Sequence, residues 1–131
     1  MEDKNILIDS DVIIDFLRNK NKPNTKLWKI MESNFNCYVS TITVFELYAG
    51  AKTKTHKRDL KLLFKWIGSI PFTFEIAKRA SEIFQSLKSE NQLIDFRDIF
   101  IGATSIEFNL PLLTFNKKHF NGISGIKLFE N

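Results

Sequence analysis

The fold is decided by the stretch Asn5-Ile6-Leu7-Ile8-Asp9-Ser10-Asp11-Val12-Ile13-Ile14-Asp15, in which an apolar run passes directly into polar residues. Residues 5–8 predict a buried strand, and Asp9 or Ser10 can cap a helix that continues to about Arg18. A carboxylate at the end of such a strand should stay ionised only beside a cation or a metal ion. The stretch therefore predicts a first strand–helix unit and a first site residue, Asp9.

The remaining chain repeats this alternation of short apolar strands and helices. We predict strands at 37–39, 70–72, 111–114 and 126–129, and helices at 25–34, 41–50, 56–67, 76–87 and 97–108. Such alternation predicts a parallel α/β sheet, whose site lies beyond the carboxyl ends of the strands, where Asp9, Ser40 and Thr114 fall. The 131 residues, without a repeat or linker, are expected to form one domain over 1–131.

Two further carboxylates lie in apolar surroundings. Glu46 sits within ITVFELY at 42–48, and Asp98 opens DIFIGA at 98–103. With Asp9 they suggest one composite site, because clustered carboxylates usually bind hard divalent ions. Gly102, one helical turn after Asp98, is expected to leave room beside that carboxylate. Structural alternatives stay open for each acid: Asp9 as a helix cap, Glu46 as the partner of a buried lysine or arginine, and Asp98 as a charge at a helix N-terminus.

The composition excludes several classes of protein. The single cysteine, Cys37, excludes an internal disulfide and a cysteine-cluster metal site. No apolar run approaches the roughly 18 residues of a membrane span, so we expect a cytoplasmic protein without a membrane segment. The net charge of +4 fits an anionic partner. Basic residues cluster at 52–65, where a phosphate-contacting patch and a solvated helix face both remain open.

Four segments, in order along nearly the whole chain, resemble the PIN-domain ribonucleases and most closely the VapC toxins of prokaryotic toxin–antitoxin pairs. They are IDSDV at 8–12, TVFELYAG at 43–50, DIFIGAT at 98–104 and LTFNKKHF at 113–120. The resemblance implies a PIN-like three-layer α/β/α sandwich with a short, mostly parallel central sheet. It also implies that Asp9, Glu46 and Asp98 hold Mg²⁺ or Mn²⁺ for RNA hydrolysis. The partners implied are an RNA substrate, a cognate antitoxin and a second copy in a homodimer.

The resemblance also implies a division of roles among the site residues. A divalent ion would lower the pKa of a bound water and neutralise charge on the scissile phosphate. Asp9 and Asp98 would be direct ligands, and Glu46 would bind through water or orient the nucleophile. Metal-bound waters would be held by Ser10, Thr114 and Asn116.

His119 departs from the family pattern, because many members carry an aspartate at this place in the turn. A neutral imidazole suits Mn²⁺ or Zn²⁺ better than Mg²⁺, and it can donate a proton to the leaving oxygen. We include His119 among the catalytic candidates. A packing or turn-capping role for it stays open, and Asp95 or Asp11 then becomes the candidate for the fourth acidic position.

The predicted helix at 56–67 carries apolar residues on two sides. Leu60 and Leu63 belong to one stripe, and Leu62 and Trp66 belong to another. A helix with two apolar sides is typically buried twice, once in its own core and once against a partner. The second stripe therefore predicts a contact with a second copy of the chain or with an antitoxin.

Two other functions compete with the ribonuclease interpretation. A haloacid-dehalogenase-type phosphatase would use Asp9 as nucleophile and Asp11 as acid, but it leaves Glu46 unexplained. Its last acidic motif would also need a buried strand before Asp95, where the chain reads Glu-Asn-Gln at 90–92. A non-catalytic PIN-like module that binds RNA or protein is the second alternative. The intact set of three acids argues against it, since a binder gains nothing from burying like charges.

Overall fold

The computed structural model describes residues 4–130, and this range contains four short strands and six helices. The strands are β1 (Asn5–Ile8), β2 (Asn36–Ser40), β3 (Gly68–Ile70) and β4 (Leu112–Leu113). The helices are α1 (Ser10–Arg18), α2 (Lys26–Glu32), α3 (Thr41–Gly50), α4 (Lys54–Leu63), α5 (Phe74–Ser89) and α6 (Phe96–Glu107). Two short 3-10 turns occupy Lys22–Asn24 and Lys117–His119.

The strands form one parallel sheet in the order β3-β2-β1-β4. The central strand β1 pairs on both sides, with Ile6 opposite Cys37 of β2 and Leu7 opposite Leu112 of β4. Because all the strands run in the same direction, their carboxyl ends meet along one edge of the sheet. The residues that follow β1 and β4 therefore lie side by side at that edge.

Each face of the sheet is covered by its own apolar core. Ile6 and Ile8 pack with residues of α1 to α4, whereas Leu7 packs with residues of α5 and α6. All three side chains are fully buried. Neighbouring residues of a strand point to opposite faces, so a run of three apolar residues serves a sheet covered on both sides. The predicted three-layer α/β/α sandwich with a parallel sheet is confirmed.

Side chains with short hydroxyl groups begin most of the helices. The hydroxyl oxygen of each cap accepts a hydrogen bond from a backbone N–H in the first turn, at Thr25, Ser40, Thr53 and Thr73. Such caps satisfy N–H groups that have no partner within the helix. Helix α6 differs, because the side chain of Asp95 makes no capping hydrogen bond. The first turn of α6, which carries Arg97 and Asp98, therefore begins without a side-chain cap.

Several predicted boundaries need correction. The third strand spans Gly68–Ile70 and not 70–72, because it pairs with residues 38–40 of β2. The helix predicted at 56–67 spans Lys54–Leu63, since Thr53 caps it. The predicted strand at 126–129 is wrong: only an isolated parallel bridge joins Leu112 to Leu128. A β4 of two residues is too short to support a longer ladder. Within residues 4–130, no helix combines the length and apolar character that crossing a bilayer requires.

Candidate active site

Asp9 is held at the carboxyl edge of the sheet by two neighbouring segments. Its Oδ1 accepts a hydrogen bond from the backbone N–H of Ser10 at 2.8 Å. Its Oδ2 accepts one from the hydroxyl of Thr114 at 2.7 Å. The residue is buried, with only 2% of its surface exposed. Because β1 and β4 are adjacent and parallel, the residues that follow them meet, and Thr114 fixes the orientation of the Asp9 carboxylate.

Glu46 and Asp98 reach the same edge from helices α3 and α6. Asp98 is buried in the first turn of α6, while Glu46 lies on α3 with a third of its side chain exposed. The residue between them in space is Arg97, also in the first turn of α6. The structure thus brings the three predicted acids together, but it does so around a guanidinium group.

Arg97 gives one nitrogen to each of the three acids. Its Nε donates to both oxygens of Glu46, at 2.9 and 3.0 Å. Its Nη1 donates to Oδ1 of Asp98 at 3.0 Å, and its Nη2 donates to Oδ1 of Asp9. The same Nη2 donates to the hydroxyl of Ser10 at 2.8 Å. One singly charged group therefore holds three carboxylates at one point.

The surroundings of Arg97 stabilise the protonated form of its guanidinium. Burial alone would lower the pKa of the guanidinium, but hydrogen bonds and charges from Asp9, Asp98 and Glu46 outweigh burial and raise that pKa. The alternative of a buried basic partner for Glu46 is thus found in the structure. The sequence did not identify Arg97 as that partner. Its only signal was a basic residue directly before Asp98.

A second hydrogen-bonded group surrounds the turn after β4. Oδ2 of Asp11 accepts from the backbone N–H of Phe115 at 3.1 Å, and the hydroxyl of Thr114 accepts from the backbone N–H of Asn116 at 3.0 Å. Burial, and then the charge of Asp9, raise the pKa of Asp11. Within residues 4–130, Oδ1 of Asp11 is buried and has no hydrogen-bond partner. Asp11 therefore braces the turn and lies close to the acidic group without joining the Arg97 contacts.

The candidates for a fourth position differ in their placement. His119 ends the 3-10 turn and places Nδ1 3.3 Å from Oδ2 of Asp98, with 56% of its side chain exposed. Asp95 is exposed to solvent at the start of α6. The prediction that Gly102 leaves free space beside Asp98 is wrong. The Ile123 side chain occupies that space, because a Cβ on Gly102 would lie 2.7 Å from Cδ1 of Ile123. Gly102 thus allows Ile123 to pack against α6.

The donor set fits a hard divalent cation in its chemistry. Asp9, Glu46 and Asp98 supply oxygen ligands from three separate elements, and all three already turn toward one positive group. Within residues 4–130, however, no three acidic, histidine or cysteine side chains are spaced to share one ion in this conformation. The acids are spread around the broad guanidinium of Arg97. They would have to draw closer to hold an ion in its place.

Comparisons with known proteins show which family the chain resembles. The PIN domain family model matches residues 6–125. Ribonuclease VapC1 of Methanocaldococcus jannaschii is 29% identical over 131 residues, covering 98% of this chain and 90% of that protein. Ribonuclease VapC3 of the same organism is 32% identical over 97 residues, covering 74% of this chain and 94% of that protein. A toxin–antitoxin complex from Klebsiella pneumoniae aligns with a TM-score of 0.73 at 25% identity, covering 96% of this chain and 99% of the matched chain.

The parallel sheet flanked by helices, with three acids at its carboxyl edge, defines an α/β domain with an acidic site. The chain belongs to the PIN domain family and, within it, to the VapC ribonucleases.

Proposed function

We propose that this chain is a metal-dependent ribonuclease that serves as the toxin of a toxin–antitoxin pair. The observation that carries the proposal is the convergence of Asp9, Glu46 and Asp98 on one positive group at the carboxyl edge of the sheet. These three carboxylates share the single positive charge of Arg97, so the site keeps a net negative charge that a divalent cation can neutralise. Mg²⁺ or Mn²⁺ is the cation we propose, because all the donors are oxygens.

We assign a separate role toward the ion to each acid of the site. Asp9 and Asp98 would hold the ion directly, and Glu46 would hold it through water or orient the attacking water. A bound divalent ion supplies a more acidic water and neutralises charge on the phosphate. Thr114 fixes Oδ2 of Asp9, and the ion would be held through Oδ1, which here accepts hydrogen bonds from the Ser10 N–H and from Arg97.

The supporting polar groups lie next to these acids. We propose that metal-bound waters are held by Ser10, Thr114 and Asn116, whose backbone or side-chain groups already bond within the site. His119 lies at the exposed rim with Nδ1 3.3 Å from Oδ2 of Asp98, and we propose it as the donor of a proton to the leaving oxygen. The phosphatase alternative is no longer needed, because family membership accounts for the acids that it left unexplained.

The partners we propose are an RNA substrate, a cognate antitoxin and a second copy of the chain. The antitoxin is supported by the likeness to a toxin–antitoxin complex. The outward stripe of α4 and the turn after it supports a protein contact, because Leu62 is 49% exposed and Trp66 is 76% exposed. Lysines 52, 54 and 57 and Arg58 are exposed as well, which suits contact with RNA phosphates.

The function is tested by RNA cleavage with purified protein. We expect cleavage with Mg²⁺ or Mn²⁺, its loss in excess EDTA, and its return when either ion is added back. Asp9→Ala should reduce the rate at least about 100-fold while preserving the circular dichroism spectrum. Cleavage that survives both EDTA and Asp9→Ala would refute a metal-dependent site. A folded protein that binds RNA without cutting it would favour the non-catalytic module.

A further inference from the structure

Arg97 uses the oxygens that a metal ion would need. It contacts Oδ1 of Asp9, Oδ1 of Asp98 and both oxygens of Glu46. The other Asp9 oxygen is occupied by Thr114, and the other Asp98 oxygen lies beside His119. A guanidinium and a divalent ion that share the same carboxylate oxygens would also repel each other at short range. The two cations are therefore expected to exclude one another.

The position of Arg97 allows it to leave. It is the second residue of α6, and 24% of its side chain is exposed. Its neighbours in sequence, Asp95 and Phe96, are exposed to solvent, so no covered segment needs to open before the side chain rotates outward. The arginine side chain is long and has several rotatable bonds, whereas Asp9 and Asp98 are buried and have short side chains. Arg97 can therefore move out of the site while Asp9 and Asp98 stay in place.

We propose that Arg97 is an internal counter-ion that keeps the metal-free site closed, and that a divalent ion binds only after its guanidinium swings out. This inference rests on the proposed function, because the displacing species is the metal of that site. The closed form neutralises part of the acidic charge and keeps the three acids assembled. It also lowers the apparent metal affinity, since only the open fraction of molecules can accept the ion. A closed form favoured 10-fold to 100-fold would weaken binding by roughly the same factor.

The first test compares metal binding by two arginine variants. Arg97→Gln keeps a polar side chain of moderate length but removes the positive charge. We expect it to bind Mn²⁺ at least about 10-fold more tightly than the wild type in isothermal titration calorimetry. Arg79→Gln is the matched control, because Arg79 pairs at 3.0 Å with Glu107, at the opposite end of α6 from the site. The control should bind Mn²⁺ like the wild type. Equal or weaker Mn²⁺ binding by a folded Arg97→Gln protein would overturn the inference.

The second test uses the wild type, and so it holds even if Arg97→Gln fails to fold. Side-chain Nε–H signals of arginine are followed by ¹⁵N NMR during a titration with Mg²⁺. The Arg97 signal should be protected in metal-free protein and should broaden or shift to the solvent-exposed position as Mg²⁺ binds. The Arg79 signal should stay unchanged.

The outcomes separate this inference from the proposed function. If Mg²⁺ shifts the backbone signals of Ser10 and Asp98 while the Arg97 Nε–H signal stays in place, the inference is overturned and the metal site stands. If no signal moves with either Mg²⁺ or Mn²⁺, the metal dependence of the proposed function fails, and the inference fails with it. Release of Arg97 together with the backbone shifts supports both.

Discussion

Thr114→Val removes one hydroxyl from the site and leaves the shape of the side chain almost unchanged. That hydroxyl is buried, donates to Oδ2 of Asp9 at 2.7 Å and accepts from the backbone N–H of Asn116 at 3.0 Å. A hydrogen bond to a charged group contributes about 1.5–3 kcal/mol, and the variant leaves Oδ2 of the buried Asp9 carboxylate without this donor. We therefore expect the free energy of unfolding to fall by about 2–3 kcal/mol in metal-free protein.

The matched control is Thr43→Val on α3. Within residues 4–130, the Thr43 hydroxyl is fully buried and has no hydrogen-bond partner, so its loss should cost almost nothing or stabilise the fold. For a chain of this size, each kcal/mol lost from the free energy of unfolding lowers the melting temperature by about 4 °C. The melting temperature of Thr114→Val should therefore fall by roughly 8–12 °C. It should stay within about 2 °C of the wild type for Thr43→Val. Equal melting temperatures for the two variants would refute the argument that Thr114 anchors the Asp9 carboxylate.

Three further predictions concern the surroundings of the site and the outer face. Burial and the charge of Asp9 raise the pKa of Asp11, so ionised Asp11 costs stability above that pKa. Asp11→Asn should thus raise the free energy of unfolding measured with urea at pH 7. This gain should fade as the pH falls through the Asp11 pKa, and a gain that grows at low pH would contradict the prediction. His119→Asp adds a carboxylate near the site and should tighten Mg²⁺ binding several-fold in calorimetry, whereas unchanged binding would leave His119 as a rim residue. Trp66→Glu should weaken self-association or antitoxin binding, measured by light scattering. Phe74→Glu, which changes a comparably exposed aromatic residue on α5, should not. Equal effects of the two variants would show that the stripe of Leu62 and Trp66 is not the contact surface.

The convergence of the acids followed from the sequence because parallel strands share one carboxyl edge. An apolar run that ends in Asp9 fixed the first strand, and Ser40 and Thr114 marked the ends of its neighbours. The apolar surroundings of Asp98 marked its burial, whereas Glu46 keeps a third of its side chain exposed and its neighbour Phe45 is 71% exposed. These signals are local, since they depend on periodicity and on residues next to each other in the chain.

Arg97 could not be placed in the same way. A long flexible side chain at the start of a helix can point to solvent or inward, and the sequence does not decide which. Its inward position depends on contacts with Asp9 and Glu46, which lie 88 and 51 residues away in sequence, in addition to its neighbour Asp98. The strand predicted at 126–129 failed for a similar reason. The segment has the apolar pattern of a strand, but its pairing partner β4 has only two residues, and that length depends on the tertiary fold.

Asp98 is the buried ligand on which the proposed metal-dependent nuclease site depends. The most direct measurement is RNA cleavage by Asp98→Asn in saturating Mn²⁺, with Asp95→Asn as the matched control from the same end of α6. Asp95 is exposed, whereas Asp98 is buried against Arg97. We predict at least about a 100-fold loss of cleavage for Asp98→Asn and nearly wild-type cleavage for Asp95→Asn. Wild-type cleavage by a folded Asp98→Asn protein would contradict the account.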